Sequence, residues 1–353
     1  MKTDTLMKLI KYILMCLPVM IWAQQPYYNN VDLTLTGQDL YYALQQKIEY
    51  AGSGHTYGDM RDMLKIIDED PNNSNKVLLI YGYNDNDGNC MTDRSRNKSN
   101  FGGGNCQYNR EHVFARSNAN PSMGSANNGS TGIVADPHNI RASDTKMNST
   151  RGNRKFGDAS GNAKVLSSGL FYPGDEWKGD VARMMMYMYT RYGNRCLPSL
   201  NGSSTLQPGT DMLQIYLQWN AEDPVNDYED ARNPYLEVVY GNRNPFIDNP
   251  YLATLIWGGP VAEDRWNMMS TNDYFAPQVV VYPNPANEFV WVGSDTSFPI
   301  ETYAIYDTTG RLIMLQPYNL NEKKIDVSAL SSGVYLLKLY NSDASVTKKI
   351  QIQ

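Results

Sequence analysis

Histidine and cysteine are both scarce, with three and four copies in 353 residues. No Cys-X-X-Cys pair or Cys/His spacing of zinc-binding type occurs, which sets aside the zinc-ribbon and finger classes. HExxH and GxSxG are missing too, so a zincin protease and an α/β-hydrolase rank last. Charge is thin at 19%, and 31 Lys+Arg stand against 37 Asp+Glu, a formal net charge of −6. That is no bulk polycation, and a nucleic-acid ligand would have to be held by a local patch. Mean hydropathy is −0.51, and the one apolar run is short and N-terminal, which excludes a bundle of membrane-spanning helices. Gly 27 and Pro 18 are ordinary, so collagen-like and low-complexity classes fall away.

The length suits two domains at roughly 100–200 residues each. Ahead of them, Lys2, Lys8 and Lys11 precede the apolar stretch Tyr12–Trp22, then Ala23 and a polar Gln24-Gln25-Pro26. This order is that of a secretory signal peptide over residues 1–23 with cleavage after Ala23. Losing three lysines and Asp4 leaves 28 basic against 36 acidic residues, a net of −8. Cys16 lacks the small residue before it that a lipoprotein signal wants, so no lipid anchor is expected. Export makes a disulfide admissible. Cys90 and Cys106, flanking a polar basic loop, are the favoured pair, and a bridge there is worth roughly 3 kcal/mol. Cys196 is left as a buried thiol.

Residues 24–266 mix helical periodicity with long Asn/Gly/Ser loops. Helices are expected from Thr36 through Ile48, over Met60–Ile67, Glu176–Tyr192, Asp211–Asn220, Asp227–Tyr240 and Tyr251–Trp257. Val77–Tyr81 reads as a buried strand. A linker at 267–277 leads into residues 278–353, where seven short alternating segments separated by turn signals predict a small β-sandwich. The fold class is therefore α+β, with an all-β tail. In that tail YPNPAN (Tyr282–Asn287), IYDTTGRLI, IDVSALSSGVYLLKL and a final KKIQIQ resemble the C-terminal sorting domain of type IX secretion cargo. The resemblance implies a Gram-negative bacterium, passage through the periplasm, recognition by the type IX secretion machinery, and release or surface attachment.

Chemistry concentrates elsewhere. Two of the histidines, His112 and His138, fall in one stretch that is also basic: Met91–Lys155 holds ten Lys/Arg and four acids, a net of +6, leaving −12 for the remainder. Such polarisation makes a funnel for a polyanion. Phosphodiester cleavage needs a proton acceptor near neutral pH, which histidine supplies. It also needs charge neutralisation, which a hydrated Mg²⁺ on hard oxygen ligands supplies. Glu111 and Asn148 are ligands of the right type, and Arg141, Arg151 and Arg154 could grip phosphate oxygens. Ser143 is expected to cap a short helix carrying Asp144, Asn148, Arg151 and Lys155 on one face. Glu111–Phe114 reads as a strand, and Gly132–Asn139 as a second. Neighbours on a regular strand face opposite ways, so Glu111 and His112 serve one ion only if the strand ends or bulges there.

NREHV (Asn109–Val113), DPHNIR (Asp136–Arg141) and KMNSTRGNRKFGD (Lys146–Asp158) are similar to the endonuclease I family. WKGDVARMMMYMYTRY, DPVNDYEDARN and GNRNPFIDNP extend the likeness over most of residues 36–258. The resemblance implies a ββα-metal (His-Me) finger embedded in a mainly helical domain. His112 is then the general base, and Glu111 and Asn148 hold the divalent ion: Mg²⁺, with Mn²⁺ or Ca²⁺ as alternatives. The implied reaction is largely sequence-nonspecific cleavage of DNA, and of RNA as the second substrate, to 5′-phosphate products. Better-known members carry a further arginine between the histidine and the second strand. Here none occurs between Arg116 and Arg141, so Arg151 is assigned to the phosphate, with Arg141, Arg154 and Arg116 beside it. His138 and Asn139 are read as residues that orient the His112 strand, and His55 as structural. A catalytically inactive surface adhesin for nucleic acid is the competing reading.

Overall fold

Leucine and isoleucine at 40, 44 and 48 lie one helical turn apart, and in the computed structural model they form the buried stripe of α1 (Gly37–Glu49). The structure describes residues 24–50, 54–268, 279–293, 300–341 and 345–353. The signal-peptide segment 1–23 and nearly all of the expected linker lie outside the described residues. The chain divides into two compact units between Trp266 and Asn267.

In the first unit α2 (Met60–Ile67) buries Met60, Met63, Leu64 and Ile67. It is followed by a three-stranded antiparallel sheet of β1 (Glu69–Asp70), β2 (Asn73–Leu78) and β3 (Ser95–Asn97). The apolar VLLIY run is only partly strand. Its last three residues stay buried but lie past the strand's end, with Leu79 N–H bonding Arg94 O and Ile80 N–H bonding Ala142 O. That bond ties the sheet to a second antiparallel pair, β4 (Tyr108–His112) and β5 (Ile140–Asp144), which runs directly into α3 (Thr145–Arg151). A minor hairpin, β6 (Lys164–Val165) with β7 (Phe171–Tyr172), comes next.

The helical remainder is α4 (Lys178–Tyr192), α5 (Pro198–Asn201), α6 (Gln214–Glu222), α7 (Asp227–Tyr240), α8 (Pro245–Asp248) and α9 (Tyr251–Trp257). From Gly179 to Thr190 every residue of α4 is buried, and α1, α6 and α8 pack around it. Its methionines are core. α7 opens with a capping box between Asn226 and Glu229.

The second unit is seven strands in two sheets. β8 (Val280–Tyr282), β9 (Phe289–Gly293) and β12 (Lys324–Asp326) make one, ordered β12-β9-β8. β10 (Thr302–Asp307), β11 (Leu312–Pro317), β13 (Gly333–Tyr340) and β14 (Ser345–Ile352) make the other, ordered β11-β10-β13-β14. Val290, Val292, Ile305, Ile325, Leu337, Leu339 and Ile350 fill the space between them. Within YPNPAN, Asn284 acts as a fastener: its side chain donates to Lys349 O and accepts from Gln351 N.

Two local expectations need correction. The segment 132–139 is not a strand, because Gly132 at φ 75° and Pro137 fold it into two 3-10 turns, and the strand begins at Ile140. The cap of α3 is Asp144 rather than Ser143. Its Oδ1 accepts from the N–H groups of Lys146 and Met147, while Ser143 points at Ile80 O.

Candidate active site

The order β4, long connection, β5, α3 brings Glu111, His112 and Asn148 to one cavity of about 330 Å³. Glu111 faces Arg141 across the pair and His112 faces Ile140, the last rung. Beyond it the pairing pattern changes: Phe114 N–H bonds the side chain of Asn139 instead of a strand partner. The strand therefore stops at His112, and consecutive residues reach the same cavity although a continuing strand would part them. Arg96 holds Asp144 at 2.6 Å, so the cap of α3 is itself anchored, and Asn148 sits one turn further on.

Each of the three side chains keeps one atom unengaged. Glu111 Oε1 accepts from Tyr81 OH at 3.1 Å and lies 3.1 Å from Arg151 Nη1, whereas Oε2 has no hydrogen-bond partner among the described residues. Burial pushes this carboxyl up to about 7, with Arg151 and the Tyr81 hydrogen bond opposing it. His112 Nε2 lies 2.8 Å from Val134 O. A carbonyl only accepts, so Nε2 carries the proton and Nδ1 carries the lone pair, unpartnered. Burial lowers this imidazole to about 4, leaving it neutral at pH 7. Asn148 Nδ2 donates to Asn109 Oδ1 at 2.7 Å and Arg110 O at 3.3 Å, and its Oδ1 stays free. One carboxylate oxygen and one amide oxygen are a hard-oxygen donor set, suited to an ion that keeps several waters. Among the described residues no cluster of three His, Cys, Asp or Glu is arranged to hold a metal.

The arginines do not sit where their type suggests. Arg141 is 1% exposed and locked between Asp68 at 2.8 Å and Asp180 at 3.2 Å, so it cannot meet a phosphate. Arg151 is 0% exposed. It braces the site from behind, holding Glu111 and donating to the carbonyls of His112 at 3.0 Å and Val113 at 2.5 Å. Arg154 is exposed but bends back onto Thr150 O at 2.6 Å, off the cavity wall. Lys155 lies beyond α3, which ends at Gly152 with φ 56°. Arg116 does line the cavity, as does Arg110, which was counted in the basic stretch but assigned no role. Much of the +6 excess is internally spent: Arg94 pairs with Glu176, Arg96 with Asp93 and Asp144, and Lys98 with Glu69. Of the window's cations, Arg110 and Arg116 are the ones that line this cavity.

Of the two residues assigned to orient the His112 strand, Asn139 is fully buried, bonding Phe114 on both N–H and C=O at 2.7 and 3.1 Å. His138 lies apart, stacked near Tyr187 with Nε2 3.0 Å from Asn242 Oδ1. Cys90 and Cys106 are bridged, with Cα atoms 5.4 Å apart, and Cys196 is buried and free. Sequence reading missed three supporting residues. Tyr57 stacks on His112, Tyr81 bonds Glu111, and Asn201 receives Ala115 N–H while donating to Val113 O. Arg110 had a signal in its place beside Glu111; Tyr57 and Asn201 had none.

The family model described as Endonuclease I matches residues 36–251, and that of the secretion system C-terminal sorting domain matches residues 280–353. An extracellular ribonuclease of Bacillus amyloliquefaciens is 40% identical over 236 residues, 61% of this chain and 74% of the relative. One of Bacillus subtilis (strain 168) is 39% identical over 249 residues, 65% and 78% of the two. The chain belongs to the endonuclease I family of nucleases, and behind its nuclease domain it carries a secretion system sorting domain.

Proposed function

We propose that the exported protein is a divalent-metal-dependent endonuclease that cuts RNA and DNA with little regard for sequence. The observation that carries this is that Glu111, His112 and Asn148, each with one atom that no described residue engages, line one cavity. Glu111 and Asn148 would hold the ion as part of a ββα-metal finger. When bound, Mg²⁺ supplies neutralising charge at the phosphate and the leaving oxygen.

The chain's own residues do the rest. Nδ1 of His112 accepts a proton as a water oxygen attacks phosphorus, and the bond from phosphorus to the 3′ oxygen breaks; that oxygen takes up a proton from solvent, giving a 3′-hydroxyl and a 5′-phosphate. Val134 O holds the ring in the tautomer that makes Nδ1 the acceptor. Arg110 and Arg116 draw the phosphate backbone to the mouth. Such contacts carry no sequence information, which is the basis for broad cutting. The named activity of the two Bacillus relatives puts RNA beside DNA as substrate. The sorting domain supports delivery through type IX secretion to the cell surface or medium.

Plasmid DNA and a structureless RNA, incubated with Mg²⁺ and with EDTA, test the reading. Both are cut only with metal, His112→Ala loses about 10²–10⁴-fold in rate, and cutting weakens as salt rises. Salt-sensitive binding without cleavage by the unaltered protein would overturn it and leave a binding protein.

A further inference from the structure

The Val134 hydrogen bond fixes only part of the His112 ring. Rotation about the Cβ–Cγ bond swings Nδ1 further than Nε2, which lies nearer that axis, so the single bond to Val134 O restrains the ring plane only weakly. Something must set the plane. Tyr57 lies against the imidazole with centroids 5.2 Å apart and planes 16° from parallel. On Tyr57's ring rests the Arg110 guanidinium, its carbon 3.7 Å from the centroid and 5.5 Å from that of Phe101.

The plate is itself held. Arg110 Nη1 donates to the carbonyl of Tyr57, and Tyr57 N–H bonds Ser130 O at 2.7 Å. Gly58 N–H bonds Asn128 O at 2.8 Å, and a Cβ on Gly58 would stand 2.8 Å from that same oxygen, so only glycine allows the approach. Tyr57 is buried, and among the described residues its hydroxyl makes no hydrogen bond, so the ring face is what the site uses. Aromatic stacking and a cation over the ring together favour one ring orientation.

We propose that Tyr57 is a positioning residue for His112: its ring sets the plane of the imidazole and so the direction of Nδ1, with Arg110 clamping the Tyr57 ring in place. This rests on His112 being the base, and it adds a requirement the three-residue site does not contain. Catalytic groups tolerate displacements of only about 0.5 Å or 10–20°, so losing the plate shows in turnover rather than in substrate capture.

The experiment compares the full chain with Tyr57→Leu, Tyr57→Phe and His112→Ala. Tyr57→Leu keeps an apolar side chain without a flat face; Tyr57→Phe keeps the face. Expected are a 10- to 100-fold fall in kcat for Tyr57→Leu with KM for an oligonucleotide within about twofold, and recovery of most of that loss in Tyr57→Phe. A second readout needs no cleavage. With three histidines in the chain, isotope-labelled histidine gives separable ring signals, and the ring-current shift of His112 should vanish in Tyr57→Leu and persist in Tyr57→Phe. The inference fails if folded Tyr57→Leu keeps kcat within twofold, if its loss lies wholly in KM, or if the His112 signal does not move. An unaltered chain without cleavage sinks the nuclease reading alone, since the ring-current result stands apart.

Discussion

The two units solve the burial problem in opposite ways. Among the described residues every buried polar or charged side chain lies between Asp68 and Arg265, and the sandwich core is aliphatic apart from Tyr303 and Tyr318. In the nuclease unit Arg141, Arg183 and Arg232 are sunk beside Asp68, Asp180 and Glu229. Such pairs add little net stability over apolar packing, but each fixes a direction that a methyl group cannot. The difference teaches where directional precision is required. A site that must aim a lone pair is built on buried polar contacts. A module that needs only to hold its shape uses oil, and exposes Val280, Tyr282, Trp291, Leu312, Leu315 and Leu320 at its surface.

Three measurements would break or sharpen that contrast. The largest effect is expected for Arg151→Met. It removes the brace from Glu111 and from two backbone carbonyls, and should cost about 3 kcal/mol in urea denaturation together with nearly all cleavage. The raised affinity of Glu111 for a proton keeps the cost at the low end of the buried-pair range, since the carboxyl can neutralise itself. Retained activity in Arg151→Met would show that the buried polar frame is dispensable. Next, Leu337→Ala in the sandwich core should cost about 2–5 kcal/mol in that unit's own unfolding transition and leave the cleavage rate alone. A matching drop in cleavage would abolish the division of labour.

The smallest effect concerns acid. Burial holds His138 down at about 3 against an ordinary 6.5; Asp136 opposes this and Arg232 and Arg191 reinforce it. Between those values the unfolded chain binds more protons than the native one, so stability is full above pH 6.5 and is lost as pH falls below it. His112 acts in the same sense. His138→Gln should flatten the fall in melting temperature from pH 6.5 to 4 by about 2–4 °C, the equivalent of roughly 1 kcal/mol in a domain of this size. An unchanged slope would mean that His138 is not held neutral.

Much of this architecture is written locally. Glu111, His112 and Asn148 lie in short runs whose residue types announce their chemistry, and α2, α7 and α9 occupy the ranges their periodicity predicts. The seven tail strands are similarly legible because alternation and turns repeat. What escapes is long-range. Arg141 looks like a phosphate ligand until Asp68, 73 residues away, and Asp180, 39 away, close over it. Nothing in one sequence marks those partners. Tyr57 is invisible for the same reason: its value lies in a face laid against a residue 55 positions on, and stacking has no spacing rule.

The sulfur bridge reaches further than its loop. Arg96 donates to Cys90 O and, at 2.9 Å, to Gln107 O, and the same guanidinium grips the aspartate that opens the helix bearing Asn148. The bridge is thus three links from Asn148. Reducing it would free Cys90, whose carbonyl Arg96 holds, and so loosen the far end of a chain of contacts that runs to the cap of α3.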